Sequence, residues 1–298
     1  MSQFTAINLA QVAPPDVIEP LDFEQILAAM LADLLDRAPE LDAQIESEPF
    51  VKLLEVCAYR ELQLRARIND AARAVMLPYS TGTDLDNLGA LFGVERLLVS
   101  PAVPTAIPPI AAVYESDSDF RYRIQLSLEG LSTAGPEGAY IFHALSADGQ
   151  VLDASAISPT PGEVLITVLS RQGSGVPDAT LLATVLAKLS DESVRPLTDY
   201  VQVQAATIAP YQVTATLYFY AGPDREVIMA NARAALEAYV NGQHRLGLDV
   251  TLSGIYAALH QPGVQRVDLA SPTANLVINR QSASYCTAIN LTDGGLDE

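Results

Sequence analysis

The pattern of apolar and polar positions divides the chain into a helical first third and a mixed remainder. From Asp22, a plausible helix cap with Gln25 three residues on, apolar residues recur every three or four positions, the spacing of one face of an α-helix. This face comprises Phe23, Ile26, Leu27, Met30, Leu31, Leu34 and Leu35. Pro49 opens a second helix that is predicted to run to Met76. Because its first ten residues are apolar on nearly every side, other helices are expected to enclose it.

Two shorter segments flank these helices. Residues 1–20 contain three prolines and little periodicity, so we expect an extended N-terminal arm. Thr83 and Asp86 form a variant capping box for a short helix over 84–92, which Gly93 would end. We therefore predict a helical region over residues 21–98.

The segment SPAVPTAIPPI that begins at Ser100 has four prolines and no charge. Such composition favours an extended, stiff conformation. We therefore predict a proline-rich linker over residues 99–113, with the first domain boundary there.

Beyond this segment the periodicity alternates between helices and strands. A helix capped by Asp117 or Ser118 ends at Glu129 and Gly130, and a second helix starts at Pro136. Strands are then expected over Val151–Ala156, Glu163–Leu169 and Tyr200–Ala205, with a helix over Asp178–Leu189. These elements predict a middle α+β domain over residues 114–209.

Residues 210–298 are predicted to form a second α+β domain. Its elements are a strand Tyr211–Tyr220, a helix from Pro223 and Asp224 to about Val240, a helix Ser253–His260, and strands Val264–Leu269, Leu276–Asn279 and Cys286–Leu291. The predicted fold class is α+β, with an N-terminal helical region followed by two small α+β domains in an elongated multidomain chain.

Several segments of the sequence resemble the baseplate J family, the wedge proteins of contractile phage tails and of phage-tail-like bacteriocins. The most informative is DSDFRYRIQLSLEGLSTAGPEGAYIFHAL at 117–145. The others are GTDLDNLGALFGVER at 82–96, TPGEVLITVLS at 160–170, LSDESVRPLTDYVQV at 189–203, YFYAGPD at 218–224 and LGLDVTLSGIYAALHQPGVQRVDL at 246–269. Together they cover most of the chain.

This resemblance implies a structural subunit rather than an enzyme. In the family, two copies of the J protein in different poses combine with a smaller wedge protein of the tail protein I type, and six wedges close a ring. The further expected partners are a small sheath-adaptor wedge protein and the neighbouring wedges. The alternatives are the same role in a type VI secretion or other injection machine and, more remotely, a stand-alone ligand-binding module or an enzyme with an unrecognised site.

The apolar helices and the resemblance together give a hypothesis for the subunit interface. Helices 22–38 and 49–76 are expected to enter an inter-subunit bundle, the α+β units at 114–298 to form arms that contact other wedges, and the linker to allow two poses. The candidate interface residues are Phe23, Leu27, Met30, Leu34, Phe50, Leu53, Leu54 and Cys57.

Charge and cysteine content exclude several classes of partner. A formal net charge of −19 and a pI near 4.4 would repel phosphate backbones and anionic membranes, so we expect neither partner. Cys57 and Cys286 are far apart with no neighbouring ligands, so we expect reduced thiols. The chain has no signal-peptide pattern and no run of 18 apolar residues, so we expect assembly in the cytoplasm and then a place in the baseplate.

Motifs that could carry chemistry are incomplete. Gly173 and Gly175 resemble a dinucleotide-binding turn, but Asp178 stands in place of the third glycine and would repel a pyrophosphate. The histidines do not have the spacing that would place two of them on one metal ion. The acidic pairs Asp84/Asp86 and Asp117/Asp119 lie at helix starts, where helix capping and the helix dipole explain them. The residues around Ser132 do not have the glycine spacing of a nucleophile elbow. The three histidines are His143, His244 and His260. We expect no catalytic site, no cofactor and no metal.

Overall fold

The computed structural model describes residues 9, 12–13, 15, 17–41, 48–222 and 224–297. Within these residues the chain forms eight α-helices and eight β-strands. Packing divides them into a helical body, formed by the described residues up to 95 with Asp117–Arg121, and an α+β body, formed by residues 96–116 and 122–297. The predicted arm over residues 1–20 lies largely outside the described residues.

Two long helices dominate the helical body. Helix α1 (Phe23–Arg37) begins where the Asp22 carboxylate accepts a hydrogen bond from the Gln25 amide at 3.1 Å, which confirms the predicted cap. Helix α2 (Pro49–Ala74) has proline in its first turn and ends two residues before the predicted Met76. The two helices pack along each other.

The third helix begins earlier than predicted. Helix α3 (Gly82–Leu91) starts at Gly82, so Thr83 is inside the helix and the prediction that it caps the helix was wrong. Gly82 has a φ of +54°, which lets the chain turn into the helix there. The Asp117 carboxylate, distant in sequence, accepts the Gly82 amide at 3.1 Å and satisfies a donor of the first turn.

The proline-rich segment folds back on itself. Strands β1 (Leu98–Ser100) and β2 (Val113–Tyr114) pair antiparallel, and Val103 bridges Ile110. All four prolines fall between these paired positions, where no ladder hydrogen bond is needed. The segment is thus not stretched out as predicted, and we call residues 98–114 the proline-rich ribbon.

The next part of the chain builds a three-stranded sheet covered by helices. Its elements are α4 (Asp117–Leu126), a 3-10 turn Glu129–Leu131, α5 (Glu137–Leu145), β3 (Val151–Ile157), β4 (Glu163–Ser170), α6 (Ala179–Leu189) and β5 (Tyr200–Ala205). The strand order is β3-β4-β5, with β3 antiparallel and β5 parallel to β4. Apolar side chains of α5, α6 and one sheet face form a closed core.

The last part builds a second three-stranded sheet. Its elements are β6 (Thr207–Phe219), α7 (Arg225–Gln243), α8 (Leu252–Leu259), β7 (Val264–Ser271) and β8 (Ser282–Leu296). The order is β7-β6-β8, with β7 antiparallel and β8 parallel to β6. Alternate residues of β6, from Tyr211 to Phe219, share a buried core with residues of α7 and α8. The α+β fold class is confirmed.

One predicted strand, Leu276–Asn279, is wrong. Only Leu276 pairs, through a single bridge to Val250. The Ile278 amide instead donates to the Asp249 carboxylate at 2.7 Å, and the Asn279 side chain accepts from the Gln281 amide. Side-chain acceptors therefore replace a strand partner here.

The two sheets meet almost without a connecting segment. Ala206 alone separates β5 from β6. The Asp153 carboxylate on β3 accepts the Leu246 amide at 2.9 Å, and Glu137 and Arg280 form an ion pair. These contacts join the two sheets into one body.

Candidate subunit interface on the helical body

Helices α1 and α2 bury few residues. Only Ile26, Val51, Ala58 and Asn69 are buried within them, although α1 is 15 and α2 is 26 residues long. The side chain of Asn69 is satisfied, because it accepts the Glu19 amide at 2.9 Å and donates to the Glu19 carbonyl at 2.8 Å. Amphipathic helices gain most of their stability from packing of the apolar face. Because few side chains of α1 and α2 are buried, this pair lacks much of that packing.

A row of apolar side chains follows the outer side of α2. We call this row the α2 stripe, and it comprises Leu53, Cys57, Leu64, Ile68 and Val75, the last directly after the helix. Leu53 is 64% exposed, Leu64 is 61% exposed and Val75 is 70% exposed. At 100° per residue the five positions lie within a sector of roughly 60°. An apolar row of this kind, here interrupted at Arg60 and Glu61, is typical of a helix that packs against another helix.

The structure divides the predicted interface residues into two groups. Leu53 and Cys57 are exposed on the α2 stripe. The other predicted residues are half-buried, and these are Phe23, Leu27, Met30, Leu34, Phe50 and Leu54. Sequence reasoning missed Leu64, Ile68 and Val75, although their spacing of four and seven residues continues the helical period from Cys57. That period was the available signal.

A groove adjoins the stripe. It is an open groove of about 520 Å³, lined by Phe23 of α1 and by Glu55, Val56, Tyr59, Arg60 and Gln63 of α2. Val56 and Tyr59 are more than half exposed. The groove therefore offers apolar walls to side chains from another helix.

The charge of α2 differs from that of the rest of the chain. The helix carries five basic and three acidic residues, whereas the whole chain has a net charge of −19. The bases are Lys52, Arg60, Arg65, Arg67 and Arg73. An apolar stripe on a basic helix fits an amphipathic partner helix with acidic flanks.

The motifs weighed for chemistry have structural contacts. Asp178 caps α6 and accepts the Leu181 amide at 2.7 Å. His143 Nε2 lies 3.1 Å from the Gly130 carbonyl, and burial lowers the pKa of this imidazole. His244 Nδ1 contacts the Ser284 carbonyl. Among the described residues, no group of three or more His, Cys, Asp or Glu could hold a metal ion, and no helix is long and apolar enough to cross a membrane.

Helices with few buried residues, in one chain with α+β domains whose cores are closed, are typical of a structural subunit of a larger assembly. Three family models match the chain in order. They describe a Baseplate J-like N-terminal domain at residues 46–103, a Baseplate J-like central domain at 132–205 and a Baseplate J-like protein C-terminal domain at 211–292. Baseplate protein J of Escherichia phage P2 is 53% identical over 299 residues, which span 98% of this chain and 99% of that protein. The chain belongs to the baseplate J family.

A solved structure is also similar, more remotely. It is a chain of the anti-feeding prophage (AFP) baseplate, determined by cryo-EM with six-fold symmetrisation. The TM-score is 0.37 at 12% identity, and the match covers 61% of this chain and 43% of that chain. The present chain thus spans less than half of that chain's length, and a likeness this weak carries no argument. Family membership itself confirms the structural baseplate wedge role predicted from the sequence.

Proposed function

We propose that this protein builds its wedge by entering a helical bundle through α1 and α2. The other members of the bundle are a second copy of the chain and a smaller wedge protein of the tail protein I type. Six such wedges close a ring, together with a small sheath-adaptor wedge protein. The protein acts through these contacts without catalysis or a cofactor, and it assembles in the bacterial cytoplasm before it takes its place in the baseplate.

The observation that carries the proposal is the α2 stripe. Leu53, Leu64 and Val75 expose most of their side chains to solvent, and burying one such side chain is worth about 1.5–3 kcal/mol. The net positive charge of α2 adds electrostatic selectivity for an acidic partner helix. A bundle that covers the stripe would supply the layer that α1 and α2 lack.

The α+β domains have a separate role in this proposal. Each has a closed core of buried apolar side chains. We assign them to the contacts between wedges, over residues 114–298.

Co-purification tests the bundle. The chain is co-expressed with its smaller wedge protein, and the Leu64→Asp variant is compared with wild type. Because an unpaired carboxylate inside a bundle costs several kcal/mol, Leu64→Asp should reduce recovery of the smaller protein by at least about tenfold.

The matched control is Leu128→Asp on the α+β body. Leu128 is 63% exposed and Leu64 is 61% exposed, so the two variants make the same change at equal exposure. The control should retain the smaller protein at the wild-type level. Equal recovery with Leu64→Asp and with wild type would refute the bundle.

A further inference from the structure

Asn69 is a polar residue on the buried face of α2. It is 3% exposed, and around the helix axis it lies within roughly 20° of Val51 and Ala58, the two buried apolar residues of α2. The α2 stripe lies roughly 120° away, on the outer side of the helix. A buried side-chain amide costs free energy unless its polar groups have partners. Asn69 therefore constrains what can pack against this face.

The segment before α1 supplies the partners of Asn69. The Asn69 side chain accepts the Glu19 amide at 2.9 Å and donates to the Glu19 carbonyl at 2.8 Å. One side chain thus binds both backbone groups of one residue, as a paired residue of a β-strand would. We call residues 17–21 the strap. Because α1 begins at Phe23, four residues after Glu19, this pairing fixes where the chain enters α1.

Two further contacts hold the chain before α1, and both are weaker. The Arg65 guanidinium pairs with the Glu19 carboxylate at 3.3 Å, and the Tyr79 hydroxyl donates to the Val12 carbonyl. The ion pair is partly exposed, and such pairs add little stability. A buried polar group that loses its partner costs considerably more. The pairing of Asn69 is therefore the contact that constrains the strap most.

The apolar contacts between α1 and α2 do not by themselves define one register. The half-buried apolar side chains of α1 recur about one turn apart, and the facing first turns of α2 are apolar on nearly every side. A shift of α1 by one turn, about 5.4 Å, would again set apolar side chains against apolar side chains. The same shift would separate Glu19 from Asn69 and leave a buried amide without partners. The side chains of α1 in question are Leu27, Met30, Leu31 and Leu34.

We propose that Asn69 determines the register of α1 on α2 by holding the strap, and that this register shapes the groove for the partner helix. A single buried asparagine sets the register of coiled coils for the same reason, at some cost in stability. The groove has walls from both helices, with Phe23 on α1 and Val56 and Tyr59 on α2, so a shift of α1 changes its form. The partner in this proposal rests on the proposed bundle, whereas the register belongs to the free chain.

Distances between two spin labels on the free chain test the register. The labels are attached at Ala28→Cys on α1 and Ala71→Cys on α2, both exposed positions, in a Cys57→Ser/Cys286→Ser background. The chain with Asn69 should give one population of distances by double electron–electron resonance. Asn69→Leu should add a second population displaced by several ångström, because one turn moves α1 by about 5.4 Å. The helical circular dichroism signal should persist, since leucine suits a helix interior.

The matched control is Asn87→Leu, the same substitution at an exposed position of α3 in the same body. This variant should keep the single distance. A second variant, Glu19→Pro, removes the backbone amide that Asn69 accepts and leaves the sequence of α2 unchanged. It should add the same second population as Asn69→Leu. Glu19→Pro decides the question if Asn69→Leu lowers the helical signal.

Four outcomes would overturn the assignment of Asn69. The chain with Asn69 could already show two populations, or Asn69→Leu could fold and keep the single distance. Glu19→Pro could keep the single distance, which would remove the strap from the mechanism. The control Asn87→Leu could split the distances as Asn69→Leu does, which would make the effect unspecific.

Co-purification of the smaller wedge protein reads the bundle separately, with unlabelled chains. Molecules in the shifted register present an altered groove, so Asn69→Leu should reduce recovery in proportion to the fraction that has shifted. Asn87→Leu should retain the smaller protein at the wild-type level. Two distance populations with full recovery would support the register and contradict the bundle. A single population in Asn69→Leu, together with the loss of recovery expected for Leu64→Asp, would contradict the register and leave the bundle standing.

Discussion

The α1–α2 helix pair and the C-terminal sheet domain bury apolar residues to very different extents. In the C-terminal domain, alternate residues of β6 and one face each of α7 and α8 join a closed cluster of buried side chains. In α1 and α2 only Ile26, Val51 and Ala58 are buried apolar residues. A sheet covered by helices completes its own core, whereas two helices without a third layer do not. A domain with a closed core and a pair of helices with few buried residues are thus present in one chain.

The α+β body has a buried ion pair besides exposed pairs such as that of Arg266 with Asp297. In the α+β body, Glu115 and Arg123 are paired with side chains 2% and 5% exposed. In the helical body, the pairs of Arg37 with Asp33 and of Lys52 with Glu55 are solvent-accessible. Exposed pairs contribute roughly 0–1 kcal/mol, so they add little to the stability of the helical body.

The largest expected effect comes from the closed core. Phe219 is fully buried in β6, and Phe219→Ala should lower the free energy of unfolding by about 4 kcal/mol through lost burial and a cavity. Leu64→Ala on the exposed stripe should change it by less than about 0.5 kcal/mol. Urea denaturation followed by circular dichroism measures both. A comparable loss at Leu64 would mean that the stripe is already covered in the free chain.

The buried ion pair should give the next largest effect. Arg123→Met leaves the Glu115 carboxylate buried without its cation, and it should lower the free energy of unfolding by about 3 kcal/mol. Adding Glu115→Gln removes the stranded charge and keeps an oxygen for the Leu97 amide, so the double variant should recover part of the loss. The same denaturation assay measures this. If the double variant is less stable than Arg123→Met alone, charge burial is not the cause.

Removal of a helix cap should have the smallest effect on the free energy of unfolding. Caps in the two regions should affect different unfolding transitions. Asp178→Ala removes the cap of α6 and should destabilise the α+β body by about 1 kcal/mol. Asp22→Ala removes the equivalent cap of α1, and it should lower the helical circular dichroism signal without shifting the α+β transition. Asp178→Asn keeps a side-chain acceptor and should behave like wild type. An equal shift from Asp22→Ala would contradict independent unfolding of the two regions.

Local signals predicted most elements. The strand Tyr200–Ala205 has the predicted bounds, because alternation of apolar and polar residues is strong there. The Asp22 and Asp178 caps are also local, since each contacts an amide three residues on. The proline-rich ribbon was missed because its pairing joins Leu98 to Tyr114, and composition alone does not reveal a contact at that separation. The start of α3 was missed for a similar reason, since its acceptor Asp117 is 35 residues away.

The sequence identified part of the exposed apolar surface of α2. The apolar first turns of α2 indicated a surface that needs a partner, and Leu53 and Cys57 lie on that surface. The sequence did not separate them from Leu54, which is half-buried, because a helix that is apolar all round has no preferred face. Only the packing of α1 against α2 distinguishes the inner side from the outer side. The assignment of these residues to a subunit contact stays a prediction.

The junction at Ala206 has a mechanical consequence. The Ala206 amide donates to Val168 in the first sheet at 3.0 Å, and the next amide, of Thr207, donates to Gln281 beside the second sheet at 3.0 Å. Successive peptide groups are thus anchored in different ladders. A pulling force along the backbone at this point loads both parallel ladders in shear, so many hydrogen bonds resist it together. Bending at the junction would have to break at least one of these two hydrogen bonds.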